Sequence, residues 1–277
     1  MRKCTQAAHL LGAALSLWAA MPGGAAAQGR AGYTDTPMLP GGQWHVHDPA
    51  RPDPPAGKPQ PGVPGAKPKP APAGAVVLFD GKGFDAWRTL DGKEPGWLLE
   101  GDAMRIPPHG APNGGDIASR RQFGDCDIHV EWQLPPRVPG EERSMNRGNS
   151  GVYVMGLFEV QVFDSYGPDY LYADGQAGAV YGQAPPRVDV CRAPGEWQCF
   201  DIRFTAPRVR EGSVVEPAVI TLRHNGVLVQ DRVRILGPTQ HGALAAYAPN
   251  TPTQGPLLLQ AHGSQVAFRN IWVRERR

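Results

Sequence analysis

The sequence predicts an all-β fold, a two-sheet antiparallel β-sandwich of the jelly-roll kind, and three observations carry that prediction. Apolar and polar residues alternate with period two in nine short segments. Gly, Pro, Asn and Asp punctuate the gaps, with Asn225-Gly226 standing where a tight hairpin wants it. No helical periodicity runs beyond about three turns, the ordinary helix length. Many short strands separated by turn signals are what a sandwich needs.

The strands follow in order. Ala75–Phe79 is an apolar run that stops at Asp80-Gly81. Cys126–Trp132 places Cys126, Ile128, Val130 and Trp132 on one face and Asp127, His129 and Glu131 on the other. Gly151–Met155 and Phe158–Phe163 are joined through Met155-Gly156-Leu157. The second puts Phe158, Val160 and Val162 on one side and Glu159, Gln161 and Phe163 on the other. Trp197–Phe204 comes next, then Ala218–Arg223 and Gly226–Val233, the hairpin pair that His224-Asn225-Gly226 connects. Leu257–His262 carries Leu258, Gln260 and His262 on one face, and Val266–Arg274 is last.

Ahead of these strands the chain changes character twice. Arg2 and Lys3 precede an apolar stretch from His9 to Ala20 and a small-residue site at Ala25-Ala26-Ala27, the layout of a cleaved secretory signal over residues 1–27. The stretch falls short of the roughly 20 apolar residues a membrane-spanning helix needs. The expected product is a periplasmic or secreted protein with no membrane insertion. Loss of Arg2 and Lys3 takes the formal charge from +2 to 0, which gives no electrostatic argument for nucleic acid. Residues 28–74 form an N-terminal segment with ten prolines between Pro49 and Pro72, read as an extended linker or a strap over the surface. Residues 75–277 suffice for one domain. Of the cysteines after the signal, Cys191 and Cys199 could bridge the loop between them and leave Cys126 as a buried thiol; three unpaired thiols are the alternative.

An exposed face of an antiparallel sheet is polar anyway, so a single polar face says little. The composition here says more. The three polar sets mix carboxylate, amide and imidazole and contain no Lys, groups suited to gripping hydroxyls or moving protons. If the strands are neighbours, Glu131, Glu159, Gln161, Gln260 and His262 line one concave face.

The runs LFDGKGFDAWR (78–88), FGDCDIHVEW (123–132), RGNSGVYVMGLFEVQVFDSYG (147–167), DGQAGAVYGQAPP (174–186), ILGPTQH (235–241) and LLLQAHGSQVAFRNIWVRE (257–275) resemble the 3-keto-disaccharide hydrolase family. The resemblance covers nearly all of the chain after residue 27, and residues 33–48 resemble a segment preceding the domain in one branch of that family. It implies a concanavalin A-like jelly roll. Two departures stand out: Ala261 where the family commonly has Asp, and Cys191 and Cys199 where it commonly has Ser and Thr. The second favours a Cys191–Cys199 disulfide.

The resemblance also implies activity on glycosides whose C3 hydroxyl is already a ketone. The ketone acidifies the C2 proton; a base removes it, the enolate expels the C1 substituent, and water adds back. This route needs a proton shuttle, support for the enolate oxygen and a donor to the leaving group. It needs no carboxylate pair around an oxocarbenium ion. The expected catalytic residues are His262, Glu159 and Glu131, with His262 first because imidazole titrates near neutrality. Arg147, Asn149, Gln161, Asp164 and Gln260 are the expected substrate-binding residues. Asn149 and Asp164 also read as turn formers, and His262 as a histidine at a strand end. A divalent metal held by Glu and His on adjoining strands is possible, and the sequence leaves it open. A non-catalytic sugar-binding module is the competing function, with Trp87, Trp97, Tyr153 and Tyr166 as stacking platforms. An ordinary glucanase would want an E-x-D-x-x-E run, and none occurs.

Overall fold

Alternation becomes two stacked sheets. The structure, a computed structural model, describes residues 30–137, 139–140, 144, 146–167 and 170–276. The expected signal, residues 1–27, lies outside the described residues. The strands are β1 (Val76–Phe79), β2 (Trp87–Thr89), β3 (Leu98–Glu100), β4 (Ala103–Arg105), β5 (Ile117–Phe123), β6 (Cys126–Gln133), β7 (Ser150–Val154) and β8 (Phe158–Val162). They continue with β9 (Trp197–Thr205), β10 (Arg208–Arg210), β11 (Ser213–Glu216), β12 (Val219–His224), β13 (Val227–Arg234), β14 (Gly255–Leu259) and β15 (Ala267–Glu275).

The larger sheet runs β13-β12-β9-β6-β15-β4-β3, with β1 also paired to β15. The smaller runs β2-β5-β14-β7-β8, and β10-β11 is a separate ribbon. The pairings are antiparallel, and the fold is the expected β-sandwich. Between the sheets lie Trp132, Phe200, Phe204 and Phe268 from the larger and Val152, Phe158, Val160 and Val162 from the smaller, all essentially without exposed surface. Burying each such side chain stabilises by about 1.5–3 kcal/mol. The Asn225-Gly226 hairpin forms as expected, with both residues in the left-handed region at φ 49° and 82°.

All nine expected strand regions contain a strand, and β2, β3, β4, β5, β10 and β11 are additional. β5 hid because its exposed Arg120, Arg121 and Gln122 follow one another and break the alternation. One boundary matters for the site. β14 stops at Leu259 because the Ala261 N–H is taken by the Asp116 carboxylate, at 2.8 Å, which carries Gln260 and His262 off the end of the strand.

The Pro-rich segment is a strap. The Gly57 N–H donates to the Asp189 carbonyl at 2.7 Å, the Asp189 N–H donates to the Pro55 carbonyl at 2.9 Å, and Gln60 donates to the Asn225 carbonyl at 3.0 Å. Further along, Arg192 and Arg269 donate to the carbonyls of Val63 and Gly65, at 2.9 and 3.2 Å.

The expected Cys191–Cys199 disulfide is absent: Cys126, Cys191 and Cys199 are free, buried thiols. Strand parity explains it. The thiol of Cys191 accepts a hydrogen bond from Gln198, which is paired with the core residue Trp132, whereas Cys199 is paired with Glu131 on the outer face. Adjacent strand residues point to opposite sides of a sheet, so the sheet stands between the two sulfurs.

Candidate functional site

The hairpin β7–β8 builds the floor. It turns through Met155 and Gly156, both left-handed at φ 58° and 66°, and pairs Tyr153 with Glu159 and Gly151 with Gln161. Because Val152, Val160 and Val162 fill the core, these four face outward on the smaller sheet. β14 pairs Leu258 with Tyr153 on the other side of β7, and Gln260 and His262, just past its end, line the same cleft.

β8 is the last strand of its sheet, yet its edge is occupied. Gln161 donates to the Ala179 carbonyl at 3.0 Å and accepts from Gly178 at 2.9 Å; Tyr181 donates to the Glu159 carbonyl at 3.2 Å; the Thr239 hydroxyl accepts from the Glu159 N–H at 3.0 Å. The segments that cover the edge therefore bring Tyr181 and His241 over the floor. The result is a cleft of about 540 Å³, lined among others by Asn149, Tyr153, Glu159, Gln161, Tyr181, His241, Gln260 and His262.

Glu159 is 4% exposed, and its carboxylate accepts a 2.8 Å hydrogen bond from the Tyr153 hydroxyl. Burial pushes its pKa up to about 8, eased by the Tyr153 hydrogen bond and reinforced by the charge of Asp116. Two amide oxygens, Oε1 of Gln161 and Oε1 of Gln260, are buried without a hydrogen-bond partner. Buried acceptors are normally satisfied, and both residues line the cleft, so they are acceptors ready for ligand hydroxyls. His241 sits in a row of hydroxyls: Nδ1 lies 2.8 Å from Tyr181 Oη, which is 2.7 Å from Tyr172 Oη, and Nε2 lies 3.2 Å from Tyr33 Oη. Burial, with His47 and His262 nearby, lowers the His241 pKa and favours its neutral form.

Gly151 makes room for this carboxyl. A Cβ there would come within 2.6 Å of Glu159 Oε1 and 2.8 Å of Tyr153 Cε2. Gly151→Ala is expected to displace the Glu159–Tyr153 pair and cost about tenfold or more in turnover, the scale of mispositioning a proton-transfer group, with little change in melting temperature; steady-state kinetics beside thermal unfolding checks it.

The structure brings together Asn149, Glu159, Gln161, Gln260 and His262, and leaves three expected residues out. Glu131 belongs to β6 in the larger sheet, and its side chain faces the outer surface of that sheet, away from the cleft. There it is held by Arg269 Nε at 2.7 Å, Asn270 Nδ2 at 2.8 Å and His129 Nε2 at 3.4 Å. Burial opposes its charge, but these hydrogen bonds outweigh it and hold the carboxyl below its usual range. Arg147 and Asp164 form a neighbouring cluster. Arg147 Nε is 3.0 Å from the Asp164 carboxylate, which Arg137 also grips at 2.6 and 2.9 Å, and the Arg147 guanidinium lies over the rings of Phe163 and Tyr170. These arginines neutralise Asp164 and brace the chain beside Asn149; neither Arg147 nor Asp164 lines the cleft. Tyr181, Thr239 and His241 escape the alternation pattern, although all three stand in the runs 174–186 and 235–241, because loops carry no periodicity to mark which way a side chain points.

Residues 74–274 match the family described as 3-keto-alpha-glucoside-1,2-lyase-like. The chain belongs to that family. A 3-keto-disaccharide hydrolase from Bacteroides thetaiotaomicron is 23% identical over 227 residues, 73% of this chain and 78% of the relative. A solved structure of a candidate glycosyl hydrolase from Parabacteroides distasonis superposes with a TM-score of 0.67 at 38% identity, over 74% of this chain and 85% of that one. A second from the same organism, at 20% identity and a TM-score of 0.53, covers 76% of this chain and all of its own; it shares the fold. Membership of the 3-keto-alpha-glucoside-1,2-lyase-like family and these neighbours make this a carbohydrate-active, glycosyl hydrolase-like protein.

Among the described residues no group of three or more His, Cys, Asp or Glu side chains could hold a metal ion. Glu159, His241 and His262 line one cleft without forming such a group. Among the described residues no helix is long and apolar enough to cross a membrane.

Proposed function

We propose that the cleft binds a glycoside oxidised at C3 and cleaves it by elimination across C1 and C2, followed by hydration, in a protein exported to the periplasm or beyond. The observation that carries the reaction type is the lining itself: among the described residues that line it, one bears a carboxylate, Glu159. Hydrolysis through an oxocarbenium ion uses a pair of carboxyl groups flanking the bond. Elimination beside a ketone uses one base.

In this reading the Glu159 carboxylate takes the C2 proton, and the electron pair moves into an enolate on the C3 oxygen. The Tyr181 hydroxyl, backed by His241, stabilises that oxygen as a hydrogen-bond donor. As the enolate reforms the ketone, the C1–O bond breaks, and His262 donates a proton to the departing oxygen. Water then adds its hydroxyl to C1 and a proton to C2. Gln161 and Gln260 accept hydrogen bonds from sugar hydroxyls, and Asn149 lies beside them on the cleft wall.

A base is active when ionised, and Glu159 releases its proton around pH 8. The expected kcat/KM profile therefore climbs through an apparent pKa near that value, and its ascending limb disappears in Glu159→Gln. The deciding assay incubates the protein with a 3-keto glycoside and, separately, its unoxidised parent. Aglycone release from the keto compound alone supports the reading; equal release from both returns the site to ordinary glycoside hydrolysis. Saturable binding with no release from either supports a sugar-binding module.

A further inference from the structure

The strap ahead of the sandwich does more than cross the surface. Ala31 donates to the Tyr170 carbonyl at 2.6 Å, and Tyr33 donates to the His47 carbonyl at 2.9 Å, so residues 31–33 and 47–49 run side by side against the loop that carries Leu171 and Tyr172. At their centre is His47, with no exposed surface. Its Nδ1–H donates to Asp174 Oδ1 at 3.1 Å, and its backbone N–H donates to the other oxygen of the same carboxylate at 3.1 Å. That carboxylate is itself fully buried, and Arg51 stands 3.7 Å away.

Three features of His47 are costly for a residue that only fills space. Its backbone is left-handed at φ 60°, a conformation a side chain occupies at a penalty. Its Nε2 is buried with no hydrogen-bond partner, which costs the desolvation of that atom. A carboxylate is buried to hold it. What His47 obtains in exchange is contact with the cleft's aromatic wall. Its ring stacks on His241 at 5.0 Å and 30° and packs on Tyr172 at 4.1 Å and Tyr181 at 4.8 Å. Gly182 permits the approach, since a Cβ there would stand 3.3 Å from His47 Cε1. Tyr33 from the same strap reaches Nε2 of the His241 ring, at 3.2 Å.

We infer that His47, anchored by Asp174, is a positioning residue of the cleft: with Tyr33 it fixes the orientation of the His241 ring and, through it, the Tyr181 hydroxyl that faces the substrate. Both strap residues lie outside the matched family region, which begins at residue 74. The domain is therefore complete as a sandwich and incomplete as a site without the segment that precedes it. Neither residue touches the reacting atoms in this scheme. The catalytic half of the inference rests on the proposed function; the structural half does not.

The test uses the full chain labelled with ¹⁵N in its histidine rings, as wild type and as Tyr33→Phe, His47→Gln and Asp174→Asn. The first readout is the ring ¹⁵N shifts of His241, which report its tautomer and hydrogen bonds without any substrate. The second is kcat and KM on a nitrophenyl 3-keto-glucoside. Loss of orientation predicts that the His241 resonances of all three variants move toward tautomer-averaged values. It also predicts a kcat about tenfold lower with KM changed less than threefold, the pattern of a group that acts in the transition state. His241 shifts that stay at their wild-type positions in Tyr33→Phe and His47→Gln overturn the inference. Should His47→Gln fail to fold, Tyr33→Phe decides alone, because it removes one oxygen from a partly exposed ring. If the wild type releases no aglycone, the proposed function fails, and the ¹⁵N comparison still decides whether the strap sets the His241 ring.

Discussion

Replacing Glu159 with Gln is expected to lower turnover on a 3-keto glycoside by about 100-fold or more, the usual scale for losing a general base. The substitution keeps the shape and the contact with the Tyr153 hydroxyl, at 2.8 Å in the wild type, and removes the titrating oxygen. It is not expected to unfold the protein. Glu159 has its pKa raised in the fold, to about 8 from an ordinary 4.5. Between those two pH values the folded protein keeps this proton and the unfolded chain releases it, so the carboxyl lowers stability progressively as pH rises through that window, and the loss levels off above it. Glu159→Gln should therefore melt at the same temperature as wild type near pH 4.5 and several degrees higher near pH 9. A variant with collapsed activity and a raised alkaline melting point cannot be explained by unfolding. The companion isotope experiment follows deuterium at C2. Elimination passes that label to solvent before the sugar is freed, whereas displacement at C1 leaves it in place; complete retention in the product would falsify the elimination.

The second large effect is the opposite kind. Glu131→Ala should cost about 3–5 kcal/mol of stability, because it removes the buried 2.7 Å partner of the Arg269 guanidinium, itself 4% exposed, and leaves that charge only the half-exposed Asp102 at 3.3 Å. Asn270 and His129 lose an acceptor in the same stroke. Yet activity per folded molecule should be retained within about threefold, since the sandwich stands between this carboxylate and the cleft. Urea unfolding and kinetics well below the transition midpoint measure both. A loss of kcat as large as that of Glu159→Gln, with stability unchanged, would reverse the two assignments.

Those two glutamates show how much of the site could be read before the fold. Alternation placed Glu159 and Gln161 opposite Val160, because parity is a property of one strand; Gln260 and His262 lie past the end of β14, where alternation no longer applies, and reach the cleft from there. Glu131 obeyed the same rule and still went to the wrong place. Alternation says which side of a strand a residue takes; it says nothing about which sheet the strand joins, and β6 pairs with β9 and β15, not with β7 or β8. The loop residues escaped for another reason. Tyr181, His241 and His47 are positioned by single hydrogen bonds and ring contacts between segments far apart in the chain, and nothing local in Val180-Tyr181-Gly182 or Gln240-His241-Gly242 encodes them. The disulfide failed on parity too, since Gln198 separates the two faces that the cysteines occupy.

The pairing of β1 with β15 sets the order of assembly. The first strand of the sandwich finds its partner only in the last, Val76 against Val273, and β6 at the middle of the larger sheet takes one of its two neighbours from the same final strand. A ribosome must deliver almost the entire chain before the sheet can close. Such long-range pairings pay their loop-closure entropy before any contact rewards it, which makes folding slow relative to helical proteins of equal stability. Catalytic competence therefore arrives late and all at once, and a chain cut short before residue 267 carries Glu159, His241 and His262 with no closed sandwich behind them.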